Sequence, residues 1–208
     1  SLIKAFVNKE DIHRRTAAEV LGIPFEDVTP EQRSHAKAVN FGIIYGISDF
    51  GLAKQLGIPR KQAADYIEAY FKRYPSIHDF MHSMVDKAKE TGRAVTLFGR
   101  YRELPDINSK NFNRRSFAER TAMNTPIQGT AADIIKIAMV HVRNRLKAEK
   151  LDAKLILQVH DELIVECPEA ESDTVKKILE EEMANAVQLS VPMLAEAGSG
   201  KSWYQAKG

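Results

Sequence analysis

A single cysteine, Cys167, stands among 208 residues, so neither an internal disulfide framework nor a cysteine-based zinc site can form. It is expected as a small apolar residue within a strand. No apolar run reaches membrane-spanning length and no signal peptide opens the chain, which predicts a soluble, intracellular protein. Neither sign of charge dominates: 30 Lys and Arg balance 28 Asp and Glu, for a net charge of +2 and a pI of about 8.5. That balance permits a nucleic-acid partner without requiring one. Repeats and low-complexity tracts are absent as well. What remains is an ordinary globular composition, 44% apolar and 28% charged, long enough for one large or two small domains. The opening Ser-Leu-Ile-Lys, in place of Met, is expected to lie inside a longer protein.

The first half reads as helical. A helix is expected from about Asp11 to Leu21, stopped by Gly22, with a loop from Pro24 to Pro30. Thr29-Pro30-Glu31-Gln32 has the form of a helix start, with Thr29 at the N-cap, proline at N1 and Gln32 at N3. Further amphipathic helices are predicted over 60–73, with Ile67, Tyr70 and Phe71 inward, and from Ser76 to about Thr91, with Phe80, Met84, Val85 and Ala88 inward. Ala94 to Leu97 and Tyr101 to Leu104 read as two short strands about Gly99. A helix from Arg114 to about Ala148 follows, which Pro126 and Gly129 should bend or divide. Lys154 to Val159 and Leu163 to Cys167 form a hairpin tipped by His160-Asp161-Glu162. An amphipathic helix over 169–188 and a last strand from Val191 to Ala197 complete an α+β fold, with a seam near residues 114–120.

Arg33, Lys37, Phe41 and Tyr45 stand four residues apart. On a helix each step of four advances roughly 40° around the axis, so they form one slanted stripe within roughly 120°. Two cations followed by two aromatic rings suit a ligand with a phosphate end and a flat end, as in a nucleoside triphosphate. The competing reading is a solvated basic face with core rings. Ala36, Val39 and Ile43 supply a separate apolar line, so the stripe is not needed for packing.

Asp161 and Glu162 at a hairpin tip suit Mg²⁺, a hard cation that takes oxygen ligands, although acids are also common in plain turns. Two-metal phosphoryl transfer needs a second carboxylate from another strand, and no acid of that kind is visible here. Arg120, Asn124 and Gln128 repeat the spacing of four and carry donors for minor-groove acceptors or sugar oxygens, or form an exposed polar face. Lys110, Arg114 and Arg115 add a basic cluster open to phosphate contact or solvation. His13 suits a ligand or a structural role. Gly198-Ser-Gly-Lys201-Ser202 is not a P-loop, because Ala195 stands where the first glycine is required, and the segment leads only to Trp203 near the chain's end.

Taken together, these residues resemble the C-terminal part of a bacterial family A DNA polymerase of the DNA polymerase I type, over essentially all 208 residues. Arg33, Lys37, Phe41, Tyr45 and Gly46 match its nucleotide-binding motif on the fingers. Gln158-Val-His160-Asp161-Glu162 matches its second palm acid motif. Ala118-Glu-Arg120 through Gln128-Gly-Thr-Ala-Ala-Asp133 resembles its primer–template helix.

The resemblance implies an incomplete right-hand fold, with fingers over 1–117 (nucleotide-binding helix about 30–46) and distal palm over 118–208. It implies a partnership with primer–template DNA, dNTP and an upstream segment bearing the thumb and first palm motif. A cytoplasmic, nucleoid-associated location follows from it. His13, Arg33 and Lys37 would bind the triphosphate, with Lys37 a general acid toward the pyrophosphate leaving group. Phe41 would stack on sugar and base, and a phenylalanine there implies discrimination against dideoxynucleotides. Tyr45 would guard the templating-base pocket, and Arg120, Asn124, Gln128 and His160 would contact DNA. Asp161, helped by Glu162, would hold the catalytic Mg²⁺ ions.

The family's first acid motif, Asp-Tyr-Ser-x-Ile-Glu-Leu-Arg, is absent from the sequence, so the isolated chain is expected to polymerise nothing. A non-catalytic nucleic-acid-binding module and a relative of the phage-type RNA polymerases are the alternatives.

Overall fold

In a computed structural model that describes residues 2–207, the chain forms two compact units, Ser1–Gly129 and Thr130–Gly208. The fingers–palm partition at 117/118 rests on motifs; the compact units divide later, inside a long helix.

The first unit contains α1 (Leu2–Val7), α2 (Ile12–Leu21), α3 (Pro30–Ile44), α4 (Asp49–Leu56), α5 (Arg60–Arg73) and α6 (Pro75–Thr91). An antiparallel pair, β1 (Arg93–Val95) and β2 (Tyr101–Glu103), follows, and then the start of α7 (Phe112–Ala148). The second unit takes the rest of α7, the hairpin β3 (Lys154–Val159) and β4 (Glu162–Glu166), α8 (Ser172–Ala184) and α9 (Trp203–Lys207). This is the expected α+β class, mostly helical with two small antiparallel sheets.

The local signals act as anticipated in α3. Thr29 accepts from the Gln32 backbone N–H, and the Gln32 side chain accepts from the Thr29 N–H, a complete capping box with Pro30 at the first helical position. Thr29→Ala is expected to cost about 1 kcal/mol. In a chain of this size that lowers the melting midpoint by about 2–4 °C, which a calorimetric scan checks. Val39 and Ile43 are buried and carry α3 onto a core that includes Leu52, Ala63, Tyr70 and Met81, while buried Ala36 packs with Ala17, Ala18 and Val28. In the second unit Val142 and Leu146 of α7 pack on Val175 and Ile178 of α8, with Leu163, Val165 and Cys167 against them.

Several expectations fail for identifiable reasons. Val191 to Ala197 is not a strand: among the described residues β3 and β4 pair only with each other, so no ladder partner holds the segment. Cys167 lies one residue past β4. Phe80 is 42% exposed, and Met81 takes the buried position on α6. Of the two outcomes expected at Pro126, division does not occur: the proline sits within the 37-residue α7, which carries the loss of one ladder bond, about 3 kcal/mol or more. The 169–188 segment starts as a 3₁₀ turn, and its α-helix ends at Ala184. The short helices α1, α4 and α9 carry too little periodic pattern to be read from the sequence. The last of these means that Gly198–Ser202 does lead into a helix; the P-loop still fails on Ala195 and on the missing preceding strand.

Candidate nucleotide and nucleic-acid site

Burial of the apolar line on α3 leaves the opposite stripe in solvent. Arg33 and Lys37 are exposed, and Phe41 and Tyr45 are 47% and 51% exposed, against 0% for Val39. Two large rings held out of a core that lies one helix face away are not packing residues. They are open to a flat ligand.

Helix α2 packs beside α3 and brings His13 to the stripe. Its ring centroid lies 5.7 Å from that of Phe41, tilted by 45°. Asn40 Nδ2 stands 3.1 Å from His13 Nδ1 and 3.1 Å from Thr16 Oγ1, which fixes the imidazole against α2. Partial burial, reinforced by Arg33 and Lys37 and opposed by Asp11, moves the His13 pKa below its ordinary value. A neutral imidazole whose Nδ1 accepts from Asn40 keeps its proton on Nε2 and donates it to an oxygen acceptor.

At the start of α3, Arg33 Nε donates to Asp11 Oδ2 at 2.6 Å. Asp11 also caps α2, its Oδ1 accepting from the backbone N–H groups of His13 and Arg14 at 3.1 Å each. Burial raises the Asp11 carboxyl, but Arg33 and these backbone donors bring it below the usual aspartate range.

At the other end, Tyr45 follows α3 and Gly46 turns the chain with φ +64°. An open cleft of about 420 Å³ lies here, lined in part by Phe41, Tyr45, Ser48, Gln55 and Arg120. Helix α7 closes on it: Gln128 Nε2 donates to Tyr45 Oη at 3.0 Å, and Asn124 Nδ2 reaches the Ile44 carbonyl at 3.4 Å. Arg120 Nη1 donates to Ser116 Oγ at 2.8 Å along its own helix. A methyl at Gly46 would lie 2.7 Å from Met123 Cε and 2.9 Å from Arg120 Cγ. Gly46→Ala is therefore expected to cost about 1–2 kcal/mol from the left-handed backbone alone, and to displace Arg120. Denaturant unfolding and a crystal structure of the variant check both effects.

In the second unit, β3 and β4 are joined by the two-residue turn His160-Asp161, with Val159 opposite Glu162. His160 has φ +53°, a conformation that such tight hairpins require and that His tolerates better than most side chains. Gln158 Nε2 donates to the His160 carbonyl at 2.6 Å and braces the turn. Asp161 is exposed at the tip. The neighbouring Glu162 accepts from Lys207 Nζ at 2.6 Å, and that ammonium holds its carboxyl below the ordinary glutamate range.

The donor set at the tip fits one side of a Mg²⁺ site. Asp161 offers hard oxygen to solvent, while no cluster of three or more metal-ligating side chains exists among the described residues. Also among them, no helix is long and apolar enough to cross a membrane.

His13, Arg33, Lys37, Phe41 and Tyr45 thus share one surface of the first unit with Arg120, Asn124 and Gln128, while His160, Asp161 and Glu162 sit on one turn of the second. Asp11 and Asn40, which hold Arg33 and His13, were not among the residues anticipated. A capping aspartate two residues before His13 was the only available signal for either.

The chain is similar to known proteins along its whole length. It is 54% identical over 206 residues to DNA polymerase I of Caldicellulosiruptor bescii, covering 99% of this chain and 24% of that protein. It is 53% identical over 207 residues to DNA polymerase I of Geobacillus stearothermophilus, covering 100% and 24%. The chain therefore spans about a quarter of the length of the curated relatives it matches. Among solved structures, the POL domain of Pol1 from M. smegmatis, in complex with DNA primer-template and dNTP, superposes with a TM-score of 0.93 at 42% identity, covering all of this chain and 36% of that one. A protein-family model described as DNA polymerase family A matches residues 1–205. With that match and the cation–ring stripe of α3 in agreement, the chain belongs to DNA polymerase family A.

Proposed function

We propose that this chain supplies the nucleotide-delivering fingers and the distal palm of a bacterial DNA polymerase acting in replication or repair. The enzyme extends a primer 3′-OH from dNTP on a DNA template. The observation that carries this reading is the exposed stripe on α3, whose cations and rings lie in solvent while the adjoining apolar line is fully packed. The M. smegmatis structure, which holds primer-template and dNTP on a matching chain, supports it.

Arg33, Lys37 and His13 bind the phosphates, and charge-assisted hydrogen bonds from the two cations fix the in-line geometry. Lys37 also neutralises, and donates a proton toward, the pyrophosphate as it leaves. Phe41 stacks on the sugar and base, and Tyr45 borders the cleft that receives the templating base. Arg120, Asn124, Gln128 and His160 contact the primer–template.

Asp161, with Glu162 beside it, would hold Mg²⁺, which lowers the barrier by charge stabilisation when bound. Asp161 would supply one side of that site, and a second carboxylate would come from the upstream segment of the complete enzyme. The place of work is the bacterial cytoplasm, at the nucleoid.

The test is a chimera in which this chain replaces the matching quarter of the Geobacillus stearothermophilus polymerase. It is expected to extend a primed template in Mg²⁺ and to prefer dNTP over rNTP. A preference for rNTP would point to an RNA polymerase. Folded chimera that binds DNA, with no extension and no response to dNTP, would leave only a binding module.

A further inference from the structure

Arg33 is the cation furthest from the rings, and it already has an anion. Its guanidinium Nε lies 2.6 Å from Asp11 Oδ2, on the exposed side of α3 where a ligand would lie. The other oxygen of Asp11 is committed to the backbone of His13 and Arg14. One carboxylate therefore ties the start of α2, with His13 just inside it, to the phosphate-binding end of α3.

Position along the helix decides which part of a ligand meets that contact. Eight residues separate Arg33 from Phe41, about 12 Å at the helical rise. With the base and sugar at Phe41 and Tyr45, the phosphate that reaches Arg33 is the one most distant from the sugar. A diphosphate ends short of it, nearer Lys37.

We propose that Asp11 is an internal competitor within the nucleotide site, an anion that occupies Arg33 until a γ-phosphate displaces it. This inference rests on the dNTP reading of α3 and adds a residue to it. Asp11 thereby holds triphosphate binding down: any phosphate that uses Arg33 must first displace the carboxylate from the guanidinium. The terminal phosphate of a bound triphosphate, carrying more charge and held in place by the rest of the ligand, takes the carboxylate's place.

Asp11→Asn tests this with little disturbance of the fold, because Asn caps a helix about as well as Asp. Asp11→Ser, another good cap, is the second variant. The 208-residue chain is titrated with dATP and with dADP in magnesium-free buffer, following the Arg33 and Lys37 side-chain NMR signals. Exposed ion pairs are worth roughly 0.2–1 kcal/mol, so removing the competing charge is expected to tighten dATP about 1.4- to fivefold. Binding of dADP should stay unchanged, and the dATP gain should shrink as salt is raised.

Unchanged or weakened dATP binding in both variants would overturn the proposal, as would an equal gain for dADP. Lys37→Ala separates this failure from that of the wider reading. If dATP binding falls with Lys37→Ala but ignores Asp11, only the role of Asp11 is lost. If it ignores both, α3 is not the nucleotide helix.

Discussion

Asp161→Asn in the chimeric enzyme is expected to reduce primer extension by about a thousandfold or more. A carboxylate directly ligating catalytic Mg²⁺ contributes several kcal/mol of transition-state charge stabilisation, and about 4 kcal/mol corresponds to that factor. The substitution keeps the shape of the turn, because asparagine is also well accommodated in tight turns. The hairpin register, Val159 opposite Glu162 and Leu155 opposite Val165, should persist. Binding of dNTP to α3 should survive, since Asp161 belongs to the other unit. The diagnostic result is loss of single-turnover rate with nearly unchanged dNTP affinity. Glu162→Gln should have a smaller effect, because that carboxylate is already paired with Lys207. Extension within about tenfold of wild type for Asp161→Asn would remove this turn from the chemistry.

Lys37→Ala has the second-largest expected effect, with the opposite signature. The exposed ammonium lies near His13 and shares the cationic end of the stripe with Arg33. Loss of one preorganised donor to developing negative charge costs about a hundredfold or more. That loss should appear in kcat/KM for dNTP, part of it as a raised KM, because the proposed role has Lys37 on the phosphates both before and during the reaction. DNA affinity should barely change. Lys37→Arg should restore binding better than turnover, since guanidinium keeps the charge but is a poor proton donor. Equal loss of DNA binding and dNTP use would identify Lys37 as a backbone-phosphate contact.

The features legible in the sequence share one property: each is encoded locally. The capping box at Thr29 and Gln32, the separation of Ala36-Val39-Ile43 from Arg33-Lys37-Phe41-Tyr45, the stop at Gly92 and the acidic hairpin tip all depend on neighbours within one or two turns. Features that depend on partners distant in sequence were not legible. Asn40 positions His13 across 27 residues, Asp11 holds Arg33 across 22, and Gln128 reaches Tyr45 across 83. Periodicity marks which side of a helix is apolar but says nothing of which polar side chain it will meet. The same limit explains Val191 to Ala197: its composition suits a strand, yet strand formation needs a pairing edge that no local pattern supplies. Phe80 and Met81 differ in burial by one helical position, a 100° rotation that apolar content alone does not resolve.

The most direct test of the account is a map of where dNTP touches the isolated chain. In an NMR titration of the 208-residue protein with dATP, signals of His13, Arg33, Lys37 and Phe41 are expected to shift together and saturate at one concentration, with the α5 and α8 surfaces silent. Shifts that gather elsewhere and leave the α3 stripe unmoved would contradict the central claim that this helix face receives the nucleotide.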